Sequence, residues 1–205
     1  MEVAMAGRPR EFDRDQALEK ARDAFWTRGY EGTSMADLVS VLGLASPRIY
    51  AAFGSKENLF REAIVLYETK EGSFASRALA EEPTARRFVE RLLRDAIEIY
   101  ARPGLSRGCM VVSAATNCAV ENDGVLRWLA ERRHARNALI VERLRKGVRD
   151  GELKPGTDPE ALGDYYTTLL FGLSVQARDG VPKERLHALV TVSMQALDAR
   201  LSLGS

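Results

Sequence analysis

"LGLASPRIYAAFGSKENLF", Leu42 to Phe60, is the stretch on which the reading of the chain turns. Gly43 punctuates a turn. A segment of about two helical turns follows, carries Pro47, Arg48 and Tyr50, and stops at Gly54. Its large apolar residues are Ile49 and Phe53, four apart, which gives one buried face and leaves the rest of the surface bare. A short helix with a free face, entered through a glycine-bearing turn, has the pattern of the second helix of a helix-turn-helix. In that motif the first residues of the second helix reach base edges in the DNA major groove.

The sequence upstream supplies the helices such a motif needs. Asp13 reads as an N-cap, Asp15 lies in the first turn, and Leu18, Ala21 and Phe25 recur at helical spacing up to Gly29. Ser34 with Asp37 forms a capping-box pattern before Met35, Leu38 and Leu42. Ser46 opens the third segment, with Pro47 in the first turn, where proline is tolerated. Ser55 caps a longer fourth helix expected from Lys56 to about Glu71. Residues before Phe12 read as an aperiodic arm. Further helices are expected near Thr84–Ala101, Cys109–Ala119, Gly124–Asp150, Pro159–Arg178 and Pro182–Leu201, with breaks at Pro155–Pro159 and Asp179–Pro182. No segment alternates like a strand, so the expected fold is all-α. A three-helix N-terminal domain, residues 1–55, is joined through the long fourth helix to a helical C-terminal domain, residues 56–205.

Composition narrows the function classes. The 205 residues are 45% hydrophobic and 29% charged, as in an ordinary globular protein. No uncharged run reaches the length of a membrane span, and the N-terminus has no secretory pattern, so a cytoplasmic location is expected. Two cysteines and two histidines give neither a disulfide framework nor metal-ligand spacing, and no metal or cofactor is expected. Net charge is +1, so any case for nucleic-acid binding rests on where the charges lie.

Several residues of the free surface suit DNA. Ser46 and Arg48 can meet base edges or phosphates, Pro47 can touch a thymine methyl, and the Tyr50 hydroxyl can reach a phosphate. Ala51 is small enough for close approach. Thr33 and Ser34 stand at the start of the second helix, where free N–H groups suit a phosphate, and Lys56 adds a charge at the start of the fourth. Arg8 and Arg10 of the arm can enter a minor groove. For Arg10 and Arg14 an ordinary solvated role is the better reading, and each of the other residues taken singly admits the same reading.

The ordered run "AFWTRGYEGTSMADLVSVLGLASPRIYAAFGSKENLF" strongly resembles the N-terminal domain of the tetracycline-repressor (TetR-like) family of bacterial transcription regulators. The matching pieces are Gly29 to Ser34, the Leu-Gly-Leu turn, the Ile-Tyr-x-x-Phe helix and the Ser-Lys-Glu-x-Leu-Phe helix start. The resemblance implies DNA contacts at Thr33, Ser34, Ser46, Pro47, Arg48, Tyr50 and Lys56. Two departures stand out. Ala45 precedes Ser46 where relatives often carry a capping Ser or Thr, so either Ser46 caps or the helix starts without a side-chain cap. Ala51 and Ala52 replace larger residues, so fewer side chains read an operator.

The second half resembles the family's ligand-binding and dimerisation domain less specifically, through "RGCMVVSAAT" (Arg107 to Thr116) and "GLSVQARDG" (Gly172 to Gly180). The resemblance implies a homodimer on a palindromic double-stranded operator, a small-molecule effector and a repressor. Interface candidates are the apolar faces Leu162, Tyr166, Leu169 and Leu173, and Leu186, Val190, Met194 and Leu197, which can equally be monomer core. Effector-pocket candidates are Tyr67, Phe74, Met110, Trp128, Tyr165 and Phe171, with Asn117 and Gln176 as polar groups. Core packing is the more ordinary reading of each, and low charge there points to a hydrophobic ligand. Cys109 reads as a buried, inert thiol in an apolar helix, with a redox role as the lesser reading. In "LAERRHARNALIVERLRKGVRDGEL", Leu129, Leu139, Ile140 and Leu144 are expected to face inward, with the arginines on a solvated face.

Two other classes compete. An enzyme would need a nucleophile–base pattern, a metal site or a phosphate loop, and none is present. The remaining class is a small-molecule-binding or interaction protein whose helix-turn-helix has lost sequence reading.

Overall fold

The computed structural model describes residues 12–104, 107–115 and 118–202, so Arg8, Arg10 and Asn117 lie outside the described residues. Among the described residues there are α-helices and 3-10 turns and no named strand. In the first half α1 spans Arg14–Arg28, α2 Met35–Leu42, α3 Ser46–Phe53 and α4 Lys56–Thr69. The Asp13 carboxylate accepts from the Asp15 and Gln16 N–H groups and starts α1, and Gly29, at φ 77°, ends it. The expected capping box of Ser34 and Asp37 is formed. Phe25 and Tyr30 close edge-on around Phe60, at 5.1 and 5.0 Å, which fixes α4 against α1. Arg14 ties the group together. Its guanidinium donates to the Ala52 carbonyl and to Glu62 and lies 4.5 Å over the Phe53 ring. Arg14 is exposed, as the solvated reading has it, and it also makes these tertiary contacts, which that reading did not include.

The second half stacks α5 (Phe74–Glu81), α6 (Ala85–Tyr100), α7 (Met110–Ser113), α8 (Asp123–Arg149), α9 (Pro159–Arg178) and α10 (Lys183–Asp198). α9 packs against α8, α6 and α10. At Gly163 a Cβ would fall 2.3 Å from the Val141 side chain, so α8 and α9 cross where only glycine fits.

Three expectations need correction. A 3-10 turn at Glu71–Ser73 and helix α5 follow α4, which ends at Thr69 and not near Glu71. The helix expected over Cys109–Ala119 is the four residues of α7. Carbonyls here bond distant parts of the chain: Val111 O accepts from Arg133 and Ala114 O from the Tyr30 N–H. Leu139 also differs from expectation, since it is exposed.

Candidate DNA interface and effector site

The helix-turn-helix surface follows from its caps. Gly43 takes the left-handed conformation (φ 66°) that ends α2 and turns the chain into α3. Ala45 is the N-cap of α3 and makes no side-chain bond, which settles the alternative left open by the sequence: the Ser46 hydroxyl is not the cap. Pro47, Arg48, Tyr50 and Ala51 are exposed and Ser46 is half-buried, while Ile49 and Phe53 are buried as expected. Arg48 reaches back over the Phe12 ring at 4.9 Å. Ser34 is exposed, and its hydroxyl donates to Asp37 while accepting the Asp37 N–H. The Ser34 hydroxyl and N–H, with Arg28 behind them, hold the Asp37 carboxyl below the usual carboxylate range.

Thr33 is placed differently from the expectation. It is fully buried, and its hydroxyl donates to the Gly29 carbonyl at 2.7 Å. The side chain closes the α1–α2 turn from inside and offers nothing to a phosphate. Lys56 stands 4.2 Å above the Tyr30 ring. Partial burial pulls its pKa down and the nearby Glu31 charge opposes that shift.

A second cluster lies inside the C-terminal half. Cys109 is completely buried. Its sulfur accepts from Arg136 at 3.3 Å and from the Tyr67 hydroxyl at 3.6 Å, and its N–H donates to Ser174 Oγ at 2.7 Å. The Tyr100 hydroxyl, also buried, faces the same sulfur and interacts with it. Burial alone would push the Cys109 thiol up; the Arg136 guanidinium and the donors around the sulfur reverse this, and the thiol falls below its ordinary value. Burial and the Cys109 charge push Tyr67 upward. Phe74 packs beneath Arg136, 5.8 Å from ring centre to guanidinium, and Met110 is buried beside the cysteine.

The segment carrying Cys109 also grips the N-terminal helices. Trp26 Nε1 donates to Gly108 O at 3.0 Å, Tyr30 N–H to Ala114 O at 2.6 Å, and Arg107 pairs with Asp23 at 3.3 Å. Glu31 accepts from the Ala119 N–H at 2.9 Å and from the Asn122 side chain at 2.7 Å, and those two bonds hold its carboxyl below the usual range. Gly108 is required here: φ is 66°, and a Cβ would meet the Ser174 carbonyl oxygen at 2.5 Å.

The structure thus gathers three of the eight effector candidates, Tyr67, Phe74 and Met110, around Cys109. Trp128 is half-buried on α8 under Arg61 and Arg132, at 5.0 and 4.7 Å. Phe171 is half-buried, and Tyr165 and Gln176 are exposed, so the last two face away from the interior. The sequence reading missed Arg136, Tyr100 and Ser174. One signal for Arg136 was present: it lies seven residues after Leu129 and four before Ile140, on the inward row of α8.

The interface candidates divide as well. Leu162, Tyr166, Leu173, Leu186, Val190, Met194 and Leu197 are buried within the single chain, and Leu169 is half-buried. They are core of the protomer. The outward apolar residues are their neighbours Tyr165 and Val175 on α9 and Leu189 and Val192 on α10, with Val192 63% exposed. No described group of His, Cys, Asp and Glu has metal-site geometry, and no described helix is long and apolar enough to cross a membrane.

Comparison with known proteins places this architecture. The family "Bacterial regulatory proteins, tetR family" matches residues 17–63, and "Tetracyclin repressor-like, C-terminal domain" matches residues 83–184. The transcriptional repressor ComR of Escherichia coli (strain K12) is 31% identical over 193 residues, covering 92% of this chain and 90% of ComR. The repressor BdcR of the same organism is 28% identical, covering 93% of this chain and 92% of BdcR. Among solved structures, a cysteine-substituted variant of the regulator CifR, complexed with 26-base-pair operator DNA, superposes with a TM-score of 0.88 at 46% identity, over 92% of this chain and 99% of that one. A glycine-turned helix-turn-helix at the N-terminus, a helical second domain and these matches over nearly the whole length lead to one conclusion: the chain belongs to the TetR family of bacterial transcriptional regulators.

Proposed function

We propose that the chain is a ligand-responsive transcriptional repressor that binds a palindromic operator as a homodimer and releases it when a small, hydrophobic effector enters the C-terminal domain. The observation that carries this is α3 itself. Its first turn exposes Pro47, Arg48 and Tyr50 on a fold that matches an operator-bound regulator over 92% of the chain. Ser34, Ser46, Pro47, Arg48, Tyr50, Ala51 and Lys56 are the DNA contacts in this reading, with Arg8 in the minor groove. Thr33 supports the turn from within.

The division at residue 55 is one of roles: the first part holds DNA and the second senses and dimerises. In this reading the protein binds and releases; it does not catalyse. The dimer face is the outward stripe of α9 and α10, Tyr165, Val175, Leu189 and Val192, in place of the inward rows. Exposed Gly172 lies on the same side of α9, with open space at its Cβ position, and permits close approach of a second helix. A two-fold dimer of this kind sets two recognition helices about 34–36 Å apart, one turn of B-DNA.

Two elements connect the halves. α4 runs from Lys56, at the DNA-binding surface, to Tyr67, which touches Cys109. The stretches 107–115 and 118–122 meet the α1–α2 turn, where Ala114 O accepts from Tyr30 and the Ala119 N–H donates to Glu31. An effector that prefers one arrangement of these elements shifts the population between DNA-fitting and non-fitting dimers, and operator DNA must then weaken effector binding equally.

Selection of bound duplexes from a random DNA library, at fixed salt, tests the reading. A recovered palindrome with half-sites one helical turn apart is expected. Salt-sensitive binding with no motif would refute it.

A further inference from the structure

Arg136 is 8% exposed, yet it lines a groove of about 220 Å³ where the α4–α5 corner meets α8. A guanidinium keeps its proton in proteins and carries five donors. The acceptor that Arg136 bonds among the described residues is the Cys109 sulfur, at 3.3 Å, and sulfur is a weak acceptor. No ion pair joins Arg136 to a carboxylate among the described residues. Two other charges line the same groove. Arg132 pairs with Glu68 at 3.0 Å, and Glu68, on α4, also lies within electrostatic reach of Arg136. Among the lining residues two guanidinium groups therefore face one carboxylate. A buried cation without its own counter-charge is strongly disfavoured, and one further negative charge would balance the groove.

We propose that this groove binds a small monocarboxylate with an apolar body, held through its carboxylate by Arg136 with Arg132 beside it, and that such an acid is the effector. This names the chemistry of the effector and rests on the repressor reading above. The planar guanidinium fork matches a carboxylate in two parallel hydrogen bonds. A single negative charge is the one that fits, because a phosphate dianion would overfill the deficit beside Glu68. The rest of the groove sets the body. Gly72, Ala75 and Leu139 line it, and Leu139 stands 44% exposed at its edge. Phe74 packs beneath the guanidinium, 5.8 Å from its ring centre. The volume lies below the range of about 300–1,000 Å³ that holds drug-sized ligands, so the acid is small.

The consequence for DNA follows from what the two arginines already hold. A carboxylate bound at Arg136 competes with the Cys109 sulfur for its donors. That acts on the 107–115 stretch, where Gly108 O holds Trp26 and Ala114 O holds Tyr30. The same carboxylate sets a second negative charge beside Glu68. That acts on α4, which begins at Lys56 on the DNA-binding side.

The test uses the full-length protein and two probe acids, benzoate and 3-methylbutanoate, at constant ionic strength. Benzamide is the neutral control of equal shape, and inorganic phosphate is the control for any anion. Thermal melts report binding, and fluorescence anisotropy reports affinity for the selected operator duplex. At least one of the two acids is expected to raise the melting temperature and lower operator affinity along one saturation curve, and benzamide and phosphate to do neither. Arg136→Gln, if folded by circular dichroism, weakens binding of that acid about tenfold to a hundredfold. Leu139→Glu leaves the buried interior intact, sets a like charge at the groove's edge and weakens binding about fivefold. The proposal is overturned if neither acid binds, if benzamide or phosphate binds as well, if Leu139→Glu and folded Arg136→Gln leave binding unchanged, or if the acid binds while operator affinity stays the same. Absence of operator binding before any acid is added refutes the repressor reading instead, and the melts still report on the groove.

Discussion

The α3 surface and the Cys109 cluster are built on opposite plans. The first is contiguous: Ser46 to Lys56 is one short stretch, with its buried side at Ile49 and Phe53 and its exposed side at Pro47, Arg48 and Tyr50. The second is assembled from four places, Tyr67 on α4, Tyr100 on α6, Cys109 before α7 and Arg136 on α8, and it is buried. A DNA-reading surface must meet its partner from outside, so its chemistry is exposed and local. The Cys109 cluster instead sits where α4, α6 and α8 meet, and its chemistry is buried and non-local. The comparison therefore predicts separability: changes at one region should leave the other's chemistry intact, except through the 107–122 segment and α4.

The largest effect is expected at the proposed dimer face. Val192→Glu sets a charge in the middle of the outward α10 stripe. Burying it unpaired should cost the dimer about 3–5 kcal/mol, converting it to monomer by sedimentation and abolishing tight operator binding, while the protomer stays helical. A Val192→Glu protein that remains a dimer would move the interface elsewhere.

Thr33→Val tests the boundary between support and contact. Losing the donor to Gly29 O at 2.7 Å should lower stability by about 1–3 kcal/mol in denaturant melts. Operator affinity of the folded fraction should be unchanged, whereas a direct DNA contact would lower it at constant stability. Arg48→Ala should reduce discrimination at one operator position by about 1–3 kcal/mol, read by competition among single-base variants. Equal losses on all sequences would make Arg48 a phosphate contact.

Lys56→Ala should have the smallest effect, weakening every DNA sequence alike and reducing the slope of log affinity against log salt by about one. The link itself is probed by pH. The Glu31 carboxyl sits below its usual range because the Ala119 N–H and Asn122 bond its charged form. Its contribution to docking the segment is thus complete above the ordinary carboxylate range and is lost as pH falls through the lowered value. Acid titration of Glu31→Gln should lack that loss.

The contiguous region was readable in the sequence because each of its constraints is local. A capping box needs residues three apart, a stop needs a glycine, and a buried face needs residues four apart. The helices were readable where apolar period and breakers agreed, as in Pro159–Arg178, which matches α9 in both bounds. The Cys109 cluster was not readable, because nothing local says that Arg136 meets Cys109. An arginine on the inward row of α8 between Leu129 and Ile140 was the trace it left. Period also misled where it could not tell which of two neighbouring rows faces inward. Tyr166 and Leu173 were expected at the dimer face and lie in the core, while Tyr165 and Val175 lie outside. The short α7 was equally illegible, since the bonds of Val111 O to Arg133 and of Ala114 O to Tyr30 join residues distant in sequence.

The central claim is that the interior and the DNA surface are one coupled system. Amide hydrogen exchange with and without operator DNA tests it most directly, before any effector is known. The account predicts that bound operator slows exchange along α3 and also at the Ala119 amide, bonded to Glu31, and the Cys109 amide, bonded to Ser174. Slowing confined to α2, α3 and the start of α4, with Ala119 and Cys109 unchanged, would contradict it.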